Sequence, residues 1–279
     1  MSAASPTLVG VARERVYSPG KVDADRAILE SAAEALAARG ARVDVIEAEA
    51  IDTATANVDL VFTMAQGPRA LAALRRIEAA GTSVVHPSEA ILACHRVRML
   101  ARLERAGVSR PEARLVAPGQ PQAEALAFVD SLGDAGAWVK RGDVHATEPG
   151  DVVRVRGAAE AVVALGALAG RGVCDAVIEA HVEGPTFKFY GVVGTGFFRA
   201  YQGEAQCPTK AAPEWVALAE QGARALGLGI YGGDLIVEAS GRARLVDVND
   251  WPSFSRCRRD AAEPIAEYLL ARLREAPGA

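Results

Sequence analysis

The stretch that decides the fold is GGDLIVEASGRARLVDVNDWPSF, which runs from Gly232 to Phe254. Two runs rich in Leu, Ile and Val flank a polar segment, so the pattern predicts a β-hairpin with its turn at Ser240-Gly241. In that register Asp234 lies directly opposite Asp247 on the neighbouring strand. Asn249 falls on the same face as Asp247, because strand side chains alternate between the two faces.

Two carboxylates that face each other in a mostly apolar hairpin repel, so the pair needs a cation or a raised pKa. Asp234, Asp247 and Asn249 together offer oxygen ligands, and Mg²⁺ commonly takes one or two carboxylates and fills its other positions with phosphate and water. The hairpin therefore predicts a magnesium site in an enzyme that handles a nucleotide. The alternative is a hairpin whose acidic residues point to solvent, and a longer turn would change every pairing.

A length of 279 residues allows one large domain or two ordinary ones, and half of the residues are apolar, which is ample material for a core. Acidic and basic residues are interspersed with a net charge of −4, which gives no electrostatic support for a nucleic-acid partner. The sequence has no evident signal peptide and no apolar run of roughly 20 residues, so we expect no membrane partner. Four scattered cysteines are typical of reduced thiols in a cytoplasmic protein, and the four dispersed histidines disfavour a zinc site.

Strand and helix patterns alternate in the first part of the chain, which is typical of a parallel sheet with helical crossovers. A helix is predicted over Ala24–Arg39, with Asp23 as its N-cap and Gly40 just past its end. A second helix is predicted from Glu89 to about Ala106, capped by Ser88. The other segments predicted here are the strands Leu8–Ala12, Arg42–Ile46, Asp59–Met64 and Thr82–Val85 and the helix Pro68–Ala80.

Beyond Gly107 short strands and helices follow without strict alternation, which is typical of α+β organisation. We place one domain boundary near residue 107 and a second near residue 180. The strands predicted in this part are Ala137–Lys140, Asp151–Val155, Ala176–Ala180, Thr186–Val193 and Phe197–Tyr201, and the helices are Gln122–Leu132, Ala158–Leu168, Pro213–Leu226 and Asp260–Arg274.

Three further motifs precede the hairpin. GVSRPEARLV, Gly107–Val116, opens the central part of the chain. WVKRGDVHA, Trp138–Ala146, places Lys140 at the end of an apolar strand, where a compact ammonium suits a phosphate. VIEAHVEGPTFKFYGVVG, Val177–Gly194, carries Lys188 between two phenylalanines, where a lysine needs a partner.

These motifs and the hairpin, in this order, resemble the ATP-grasp superfamily over roughly Leu8 to Leu270. The glutathione synthetase-like and ribosomal S6 modification-like ligases look nearest, and the inositol-trisphosphate 5/6-kinase branch is also similar. The resemblance implies an ATP-grasp fold of mixed α/β and α+β class. It divides the chain into a parallel α/β pre-ATP-grasp domain (residues 1–106), a small nucleotide-gripping subdomain (107–180) and a C-terminal subdomain with the metal-binding hairpin (181–279).

The resemblance also implies the residues that bind ATP. Arg96 and Lys140 match positions that contact phosphate, although Arg96 also fits an exposed helix arginine. His145 lies in the loop expected over the phosphates, which has a single glycine here where the family has several. Lys188 matches a phosphate-binding cation of several members, and the alternative is an edge-strand lysine that points outward. The adenine and ribose contacts implied are Glu179, Ala180, His181 and Val182.

For the chemistry, the resemblance makes Asp234, Asp247 and Asn249 the ligands of Mg²⁺, with Mn²⁺ as an alternative. In a ligase, a carboxylate attacks the γ-phosphate of ATP, and an amine then displaces phosphate from the acylphosphate to form an amide. Cations must offset the charge of the reacting groups. The candidates for this catalytic role are Lys188, Arg256, Arg258 and Arg259.

Two other functions stay open. A kinase would phosphorylate a hydroxyl, and the aspartate at position 247 and the lack of an arginine two residues before Asp234 favour it. The sparse basic residues of the N-terminal part disfavour a highly phosphorylated inositol, so we favour the ligase. A module that only binds nucleotide has no need of paired carboxylates. The expected partners are small molecules, a carboxylate plus an amine or a hydroxyl acceptor, and the resemblance allows a homodimer.

Overall fold

The computed structural model describes residues 5–18, 20–55, 57–142 and 148–275. Within these ranges the strands form three four-stranded sheets that follow one another along the chain. The first is parallel and the other two are antiparallel, so the predicted mixture of α/β and α+β structure is confirmed. The strands are β1 Thr7–Val11, β2 Arg42–Ile46, β3 Leu60–Thr63, β4 Ser83–Val85, β5 Ala113–Val116, β6 Ala137–Arg141, β7 Val152–Val155, β8 Ala176–Ala180, β9 Thr186–Val192, β10 Phe197–Gln202, β11 Ile230–Val237 and β12 Ala243–Asp250.

The α-helices pack on these sheets, and each segment predicted as a helix contains one helix or, in one case, two. They are α1 Val22–Ala38, α2 Ile51–Ala54, α3 Pro68–Ala79, α4 Ser88–Ala93, α5 Arg96–Arg105, α6 Ala123–Ser131, α7 Ala158–Gly170, α8 Pro213–Leu226 and α9 Arg258–Glu275. Across the described ranges, no helix combines the length and the apolar character that a membrane crossing requires.

The parallel sheet has the order β2-β1-β3-β4 and is covered by α1. Helix α1 also packs against the C-terminal helix α9, with Leu29 and Leu36 of α1 in one core with Ile265 and Leu269 of α9. The last helix of the chain therefore joins the first layer, and this contact holds the N-terminal sheet against the C-terminal part.

The ends of α1 differ in how well the sequence predicts them. Gly40 follows the helix with a φ of +88°, the left-handed conformation that favours glycine after a helix end. Asp23 is not the N-cap, because the helix begins at Val22 and Lys21 holds the capping position. Asp23 is instead exposed in the first turn, where its carboxylate still faces the positive end of the helix dipole.

The long helix predicted from Glu89 to Ala106 is two helices. Helix α4 ends before Cys94, and His95 takes an extended conformation before α5 begins at Arg96. No glycine or proline marks the break, so the apolar periodicity runs on through it. Ser88 does not cap α4 with its side chain, because its N–H and hydroxyl both donate to the carboxylate of Glu78.

The second sheet has the order β5-β8-β6-β7 and includes β5, which the sequence does not predict as a strand. On one face Ala137, Val139 and Ile178 form a core with α6 and α7. Because side chains alternate along a strand, Lys140 lies on the other face, together with Glu179.

The third sheet has the order β10-β9-β11-β12. Strand β9 lies between β10 and β11, so Lys188 sits on an inner strand of this sheet and not on an edge. The opposite face of the sheet packs on α8, where Leu245 and Val248 contact Ala219 and Ala223 within one core.

Candidate functional site

The hairpin of β11 and β12 has a different turn from the one predicted. Its loop is Ala239–Gly241, three residues instead of two, because the N–H of Glu238 donates to the carbonyl of Arg242 at 2.9 Å. Gly241 ends this loop with a φ of +84°, as three-residue hairpin loops require. A three-residue loop alone would shift every pairing by one residue.

A bulge in β12 restores the predicted pairing. The register shifts between Asp234 and Leu235, so that Leu235 pairs with Leu245 whereas Asp234 pairs with Asp247. Val246 is the extra residue, and it turns Asp247 onto the face of Asp234. The two carboxylates therefore face each other as predicted, through a longer loop and a bulge that compensate for one another.

The face with Asp234, Asp247 and Asn249, called here the acidic face, also carries Lys188. The amide nitrogen of Asn249 donates to Oδ2 of Asp247 at 3.2 Å, and Nζ of Lys188 lies 3.5 Å from Oδ1 of Asp234. Burial raises the pKa of the Asp234 carboxyl, Lys188 lowers it, and Asp247 raises it again. Ionising both carboxylates is therefore costly without an added cation.

The oxygen ligands of the acidic face fit a hard cation. Its three members provide two carboxylates and one amide oxygen, which Asn249 leaves available because its nitrogen makes the bond to Asp247. In the described ranges no group of three or more His, Cys, Asp or Glu side chains could hold a metal ion. Magnesium needs no such group, because phosphate and water complete its coordination.

The acidic face opens onto a cavity of about 790 Å³ between the C-terminal sheet and the loops that follow β1 and β3. Its wall mixes both charges, which suits a ligand with charges of its own. Among the predicted site residues, the cavity brings together Arg96, Lys188, Asp234, Asp247, Asn249 and Arg256. The rest of the lining includes Arg13, Tyr17, Lys21, Asp25, Gln66, Glu204 and Asp250.

Lys140 and Glu179 lie outside this cavity wall, on the second sheet. They are both buried, and Nζ of Lys140 forms an ion pair with the carboxylate of Glu179. Burial raises the pKa of Glu179, whereas Lys140 lowers it; weaker effects come from Asp247, which raises it, and Arg96, which lowers it. Asp247 and Arg96 are therefore close enough to Glu179 to affect the pKa of its carboxyl. His145 lies outside the described residues.

The segment predicted to contact the nucleotide ends in a free backbone donor at Val182. The N–H of Ala180 donates to Glu112 at 2.8 Å, and that of His181 donates to Gly136 at 3.0 Å. The N–H of Val182 has no hydrogen-bond partner in the described part of the chain. The nucleotide segment predicted from sequence thus offers its donor at Val182.

The imidazole of His181 is held in one tautomer. Nδ1 accepts a hydrogen bond from Nε1 of Trp138 at 3.1 Å, so the proton lies on Nε2, which donates to Glu183 at 3.0 Å. This orients the ring against the second sheet.

Two of the arginines expected at the site, Arg96 and Arg256, line the cavity and make different contacts. Arg96 donates to the carbonyl of Arg141 at 2.9 Å and so joins the start of α5 to the end of β6. Arg256 donates to the carbonyl of Gly203 at 2.8 Å and lies 3.1 Å from the carboxylate of Glu204.

Arg258 begins α9 and is half-buried. It is not in the cavity wall that the described residues form, and neither is Arg259, which is exposed. Proximity to the hairpin in sequence therefore does not bring these two arginines to the cavity.

Sequence reasoning missed Arg13, which follows β1. Its guanidinium donates to the carbonyls of Met64 at 3.1 Å, Asp250 at 3.3 Å and Trp251 at 2.9 Å, and pairs with Asp25 at 3.3 Å. One side chain thus ties the first sheet to the residues just after the acidic face. Its position after a parallel strand is the available signal, because ligand sites gather at the carboxyl ends of such strands.

Trp251 and Phe254, which follow the hairpin, are core residues. Both are fully buried and adopt positive φ angles of 37° and 48°. Trp251 stacks on Phe62 with ring centroids 6.0 Å apart, and Phe254 packs on Tyr190 at 5.3 Å. Their packing fixes the loop on which Pro252 and Ser253 reach the cavity.

The chain resembles known proteins in structure but not in sequence. No known family and no curated protein matches the chain in sequence. Among solved structures, a D-alanine–D-alanine ligase from Bacillus anthracis complexed with ATP has a TM-score of 0.73 at 13% identity, covering 98% of this chain and 99% of that chain. The D-cycloserine synthetase DcsG has a TM-score of 0.71 at 21% identity, covering 96% and 99%.

A RimK domain ATP-grasp protein from Sphaerobacter thermophilus DSM 20745 has a TM-score of 0.69 at 21% identity, covering 94% of this chain and 99% of that chain. These likenesses span nearly the whole of each chain. The chain has the ATP-grasp fold.

Proposed function

We propose that the protein is an ADP-forming ligase that uses ATP to join a carboxylate to an amine. The observation that carries the proposal is the acidic face: two facing carboxylates and an amide, with a lysine beside them, on the wall of a large polar cavity. Similar structures include a D-alanine–D-alanine ligase complexed with ATP and the D-cycloserine synthetase DcsG, which supports amide-type chemistry here.

ATP would bind between the second and third sheets. The free N–H of Val182 is suited to an acceptor nitrogen on the adenine edge, because Ala180 and His181 have already used theirs. Lys140 would reach the phosphates, and its ion pair with Glu179 gives it a partner in a buried place. Arg96 and Lys188 would meet the phosphates from the cavity side.

Asp234, Asp247 and Asn249 would hold Mg²⁺, or Mn²⁺ in its place. The ion would neutralise charge between the β- and γ-phosphates and so ease attack on the γ-phosphorus. Lys188 holds Asp234 from the neighbouring strand, which orients that carboxylate towards the cavity.

In the first step a substrate carboxylate oxygen forms a bond to the γ-phosphorus, the bond to the β-phosphate oxygen breaks, and ADP leaves. In the second step an amine forms a bond to the acyl carbon, the carbon–oxygen bond breaks, and phosphate leaves as the amine loses a proton. The tetrahedral oxyanion needs a cation. We assign this role to Arg256 and not to Arg258, because Arg256 lines the cavity.

A small-molecule kinase is the second candidate. Gly232, two residues before Asp234, packs so closely on Pro252 and on the carbonyl of Phe189 that a side chain there would collide with both. An arginine therefore cannot stand at that position to stabilise an oxyanion, and a kinase has no oxyanion to stabilise. The mixed charge of the cavity argues against a polyphosphorylated acceptor.

The free cysteines support a reducing compartment, and we infer a cytoplasmic protein from them. Cys174 and Cys207 are exposed without a disulfide, which is common where thiols stay reduced.

The test of the proposed function is paired measurement of ADP and free phosphate with Mg²⁺-ATP. The purified chain is incubated with a pool of small carboxylates, a pool of amines, both pools, or a pool of hydroxyl acceptors. A ligase releases ADP and phosphate in equal amounts only when both acid and amine are present. ADP without free phosphate identifies a kinase, and release of neither product in any pool contradicts an enzymatic role. Asp247→Ala is the inactive control.

A further inference from the structure

A second pair of acids lies in the same cavity, separate from the acidic face. Asp25 comes from helix α1 and Asp250 ends strand β12; the two are called here the buried acid pair. Along β12, Asp247 and Asn249 are half-buried on one face, whereas Asp250 points to the buried side. The buried acid pair therefore lies on the other side of β12 from the expected metal ligands.

Each acid of the pair has one oxygen satisfied and one left over. Oδ2 of Asp25 accepts from the hydroxyl of Ser18 at 2.8 Å and faces Arg13 at 3.3 Å, and Oδ1 of Asp250 accepts from the amide of Gln66 at 2.9 Å. Oδ1 of Asp25 and Oδ2 of Asp250 have no hydrogen-bond partner among the described residues. The two residues are only 3% and 1% exposed, so bulk water does not solvate these oxygens. Buried carboxylate oxygens without donors are rare in folded proteins and indicate a missing partner.

The charge at this place is also unbalanced. Asp25 and Asp250 share one cation, Arg13, which pairs with the carboxylate of Asp25 and donates to the backbone carbonyl of Asp250. The remaining donors of Arg13 are bound to the backbone carbonyls of Met64, Asp250 and Trp251. Lys21 also lines the cavity, but its charge acts on Asp234 and it forms no ion pair with either acid in the described part of the chain. The buried acid pair therefore lacks a second cation, one that can donate at least two hydrogen bonds.

We propose that Asp25 and Asp250 bind the ammonium group of an amine-bearing substrate. A primary ammonium carries one positive charge and three N–H donors, which supplies both unpartnered oxygens and balances the charge. The inference rests on the proposed ligase in one respect, since it identifies this substrate as the amine partner of the reaction. The buried acid pair would take up this substrate as its ammonium ion, and the nitrogen must give up a proton and leave the pair before it attacks the acyl carbon at the acidic face.

The experiment measures the thermal unfolding midpoint of the full chain near neutral pH against increasing alaninamide. Both enantiomers are tested, and lactamide, in which a hydroxyl replaces the ammonium, is the neutral isostere. Sodium chloride at equal ionic strength controls for salt. The variants are Asp25→Asn and Asp250→Asn, and the matched control is Asp23→Asn, an exposed acid two residues away on the same helix.

The wild type and Asp23→Asn should show a saturable rise of the midpoint with alaninamide and none with lactamide. Asp25→Asn and Asp250→Asn should each weaken the apparent affinity at least about tenfold, because each loses a charged hydrogen bond to the ammonium. Without ligand Asp250→Asn should unfold at a higher temperature than the wild type, since a buried carboxylate without a cation of its own has been replaced. Asp25→Asn should unfold at a lower temperature, since it breaks the ion pair with Arg13. If Asp250 had only a structural role, its variant would unfold at a lower temperature as well.

Three results would overturn the proposal: no saturable rise of the wild type with either enantiomer, an equal response to lactamide, or an unchanged response in both variants. If Asp250→Asn does not fold, Asp25→Asn alone decides. Binding of a fluorescent trinitrophenyl-ATP is measured on the same samples. If the wild type does not bind this nucleotide, the proposed function is refuted but the alaninamide result still stands. Failure of the proposed function can therefore be distinguished from failure of the ammonium site.

Discussion

Two carboxylates that face each other lower the stability of the fold when no ligand is bound. Such a destabilising pair indicates a ligand-binding site. Asp234 is held at 3.5 Å from Lys188, but burial and Asp247 still raise its pKa. The ion pair with Lys188 is partly exposed and contributes little to stability. A residue that weakens the unliganded fold is retained when a ligand needs it.

We predict that Asp234→Asn raises the free energy of unfolding by about 0.2–1 kcal/mol, because it removes the repulsion between directly opposed like charges. The same change should abolish ADP formation, since the amide is a weaker ligand for Mg²⁺. Urea unfolding and the ADP assay measure the two effects. Glu34→Gln on the exposed face of α1 is the control, and a less stable Asp234→Asn protein would contradict the account.

Residues of the acidic face were predictable because they lie within one short hairpin, where strand alternation alone fixes their side. Arg13 was not predictable, because it contacts Asp250 from 237 positions away in sequence. The chemistry of a single residue does not reveal a partner at that separation, and only the packing of the first sheet on the third brings them together.

At the scale of elements, the hairpin depends on backbone contacts as well as on its acids. Gly233 precedes Asp234 on β11, and a Cβ there would collide with the carbonyl oxygen of Asp247 on β12. Gly222 on α8 is also crowded, but a Cβ there would meet only the end of the Leu245 side chain. The two glycines therefore form a matched pair. A side chain at Gly233 would have to displace backbone, whereas one at Gly222 would have to displace a side chain.

We predict that Gly233→Ala lowers the free energy of unfolding by about 3 kcal/mol or more and moves Asp247, because a backbone cannot shift as a side chain does. Gly222→Ala should change the same quantity by less than about 1 kcal/mol, since the gain in helix propensity offsets the crowding. Guanidinium unfolding of both variants provides the comparison. Equal losses would mean that the backbone contact at Asp247 is not the constraint.

The sequence could not predict the detailed geometry of this hairpin or of α4 and α5. A three-residue loop and a bulge at Val246 leave the same facing pair as the simpler two-residue turn, so the pattern of apolar residues is identical for both. The break at His95 leaves the apolar spacing of the two helices uninterrupted. In both places tertiary contacts select a local geometry that propensity does not.

At the scale of the whole molecule, His86 connects the first layer to the third sheet. Its Nε2 accepts the N–H groups of Gly229 at 3.1 Å and Ile230 at 3.0 Å, just where β11 begins. Burial lowers the pKa of His86 from 6.5 to about 3. The ring is therefore neutral in the folded chain throughout the range in which the unfolded chain takes up a proton.

This shift predicts a pH dependence of folding. As pH falls from 6.5 towards 3, the unfolded chain binds a proton at His86 that the folded chain does not, so stability is lost over that window. Between pH 6.5 and about pH 4.5 the loss due to His86 should be about 2 kcal/mol. His86→Gln keeps an acceptor that does not titrate, and urea unfolding should show a correspondingly shallower dependence. An unchanged slope would contradict the role of His86.

The sequence predicted the overall architecture better than it predicted the contacts between the layers. Alternating strands and helices predicted the parallel sheet, and the order of four motifs predicted the ATP-grasp fold. The packing of α9 on α1 and the position of Arg258 outside the cavity did not follow, because both depend on how separate layers meet. Sequence periodicity describes each layer but not the angle or contact between layers.

We propose that the acidic face holds a divalent ion bound to a nucleotide. Calorimetric titration of the non-hydrolysable analogue AMP-PNP, with and without Mg²⁺, tests it directly in the wild type and in Asp247→Asn. We predict that Mg²⁺ tightens binding at least about tenfold in the wild type and by less than about twofold in Asp247→Asn. The same enhancement in both proteins would show that the facing carboxylates do not bind the ion.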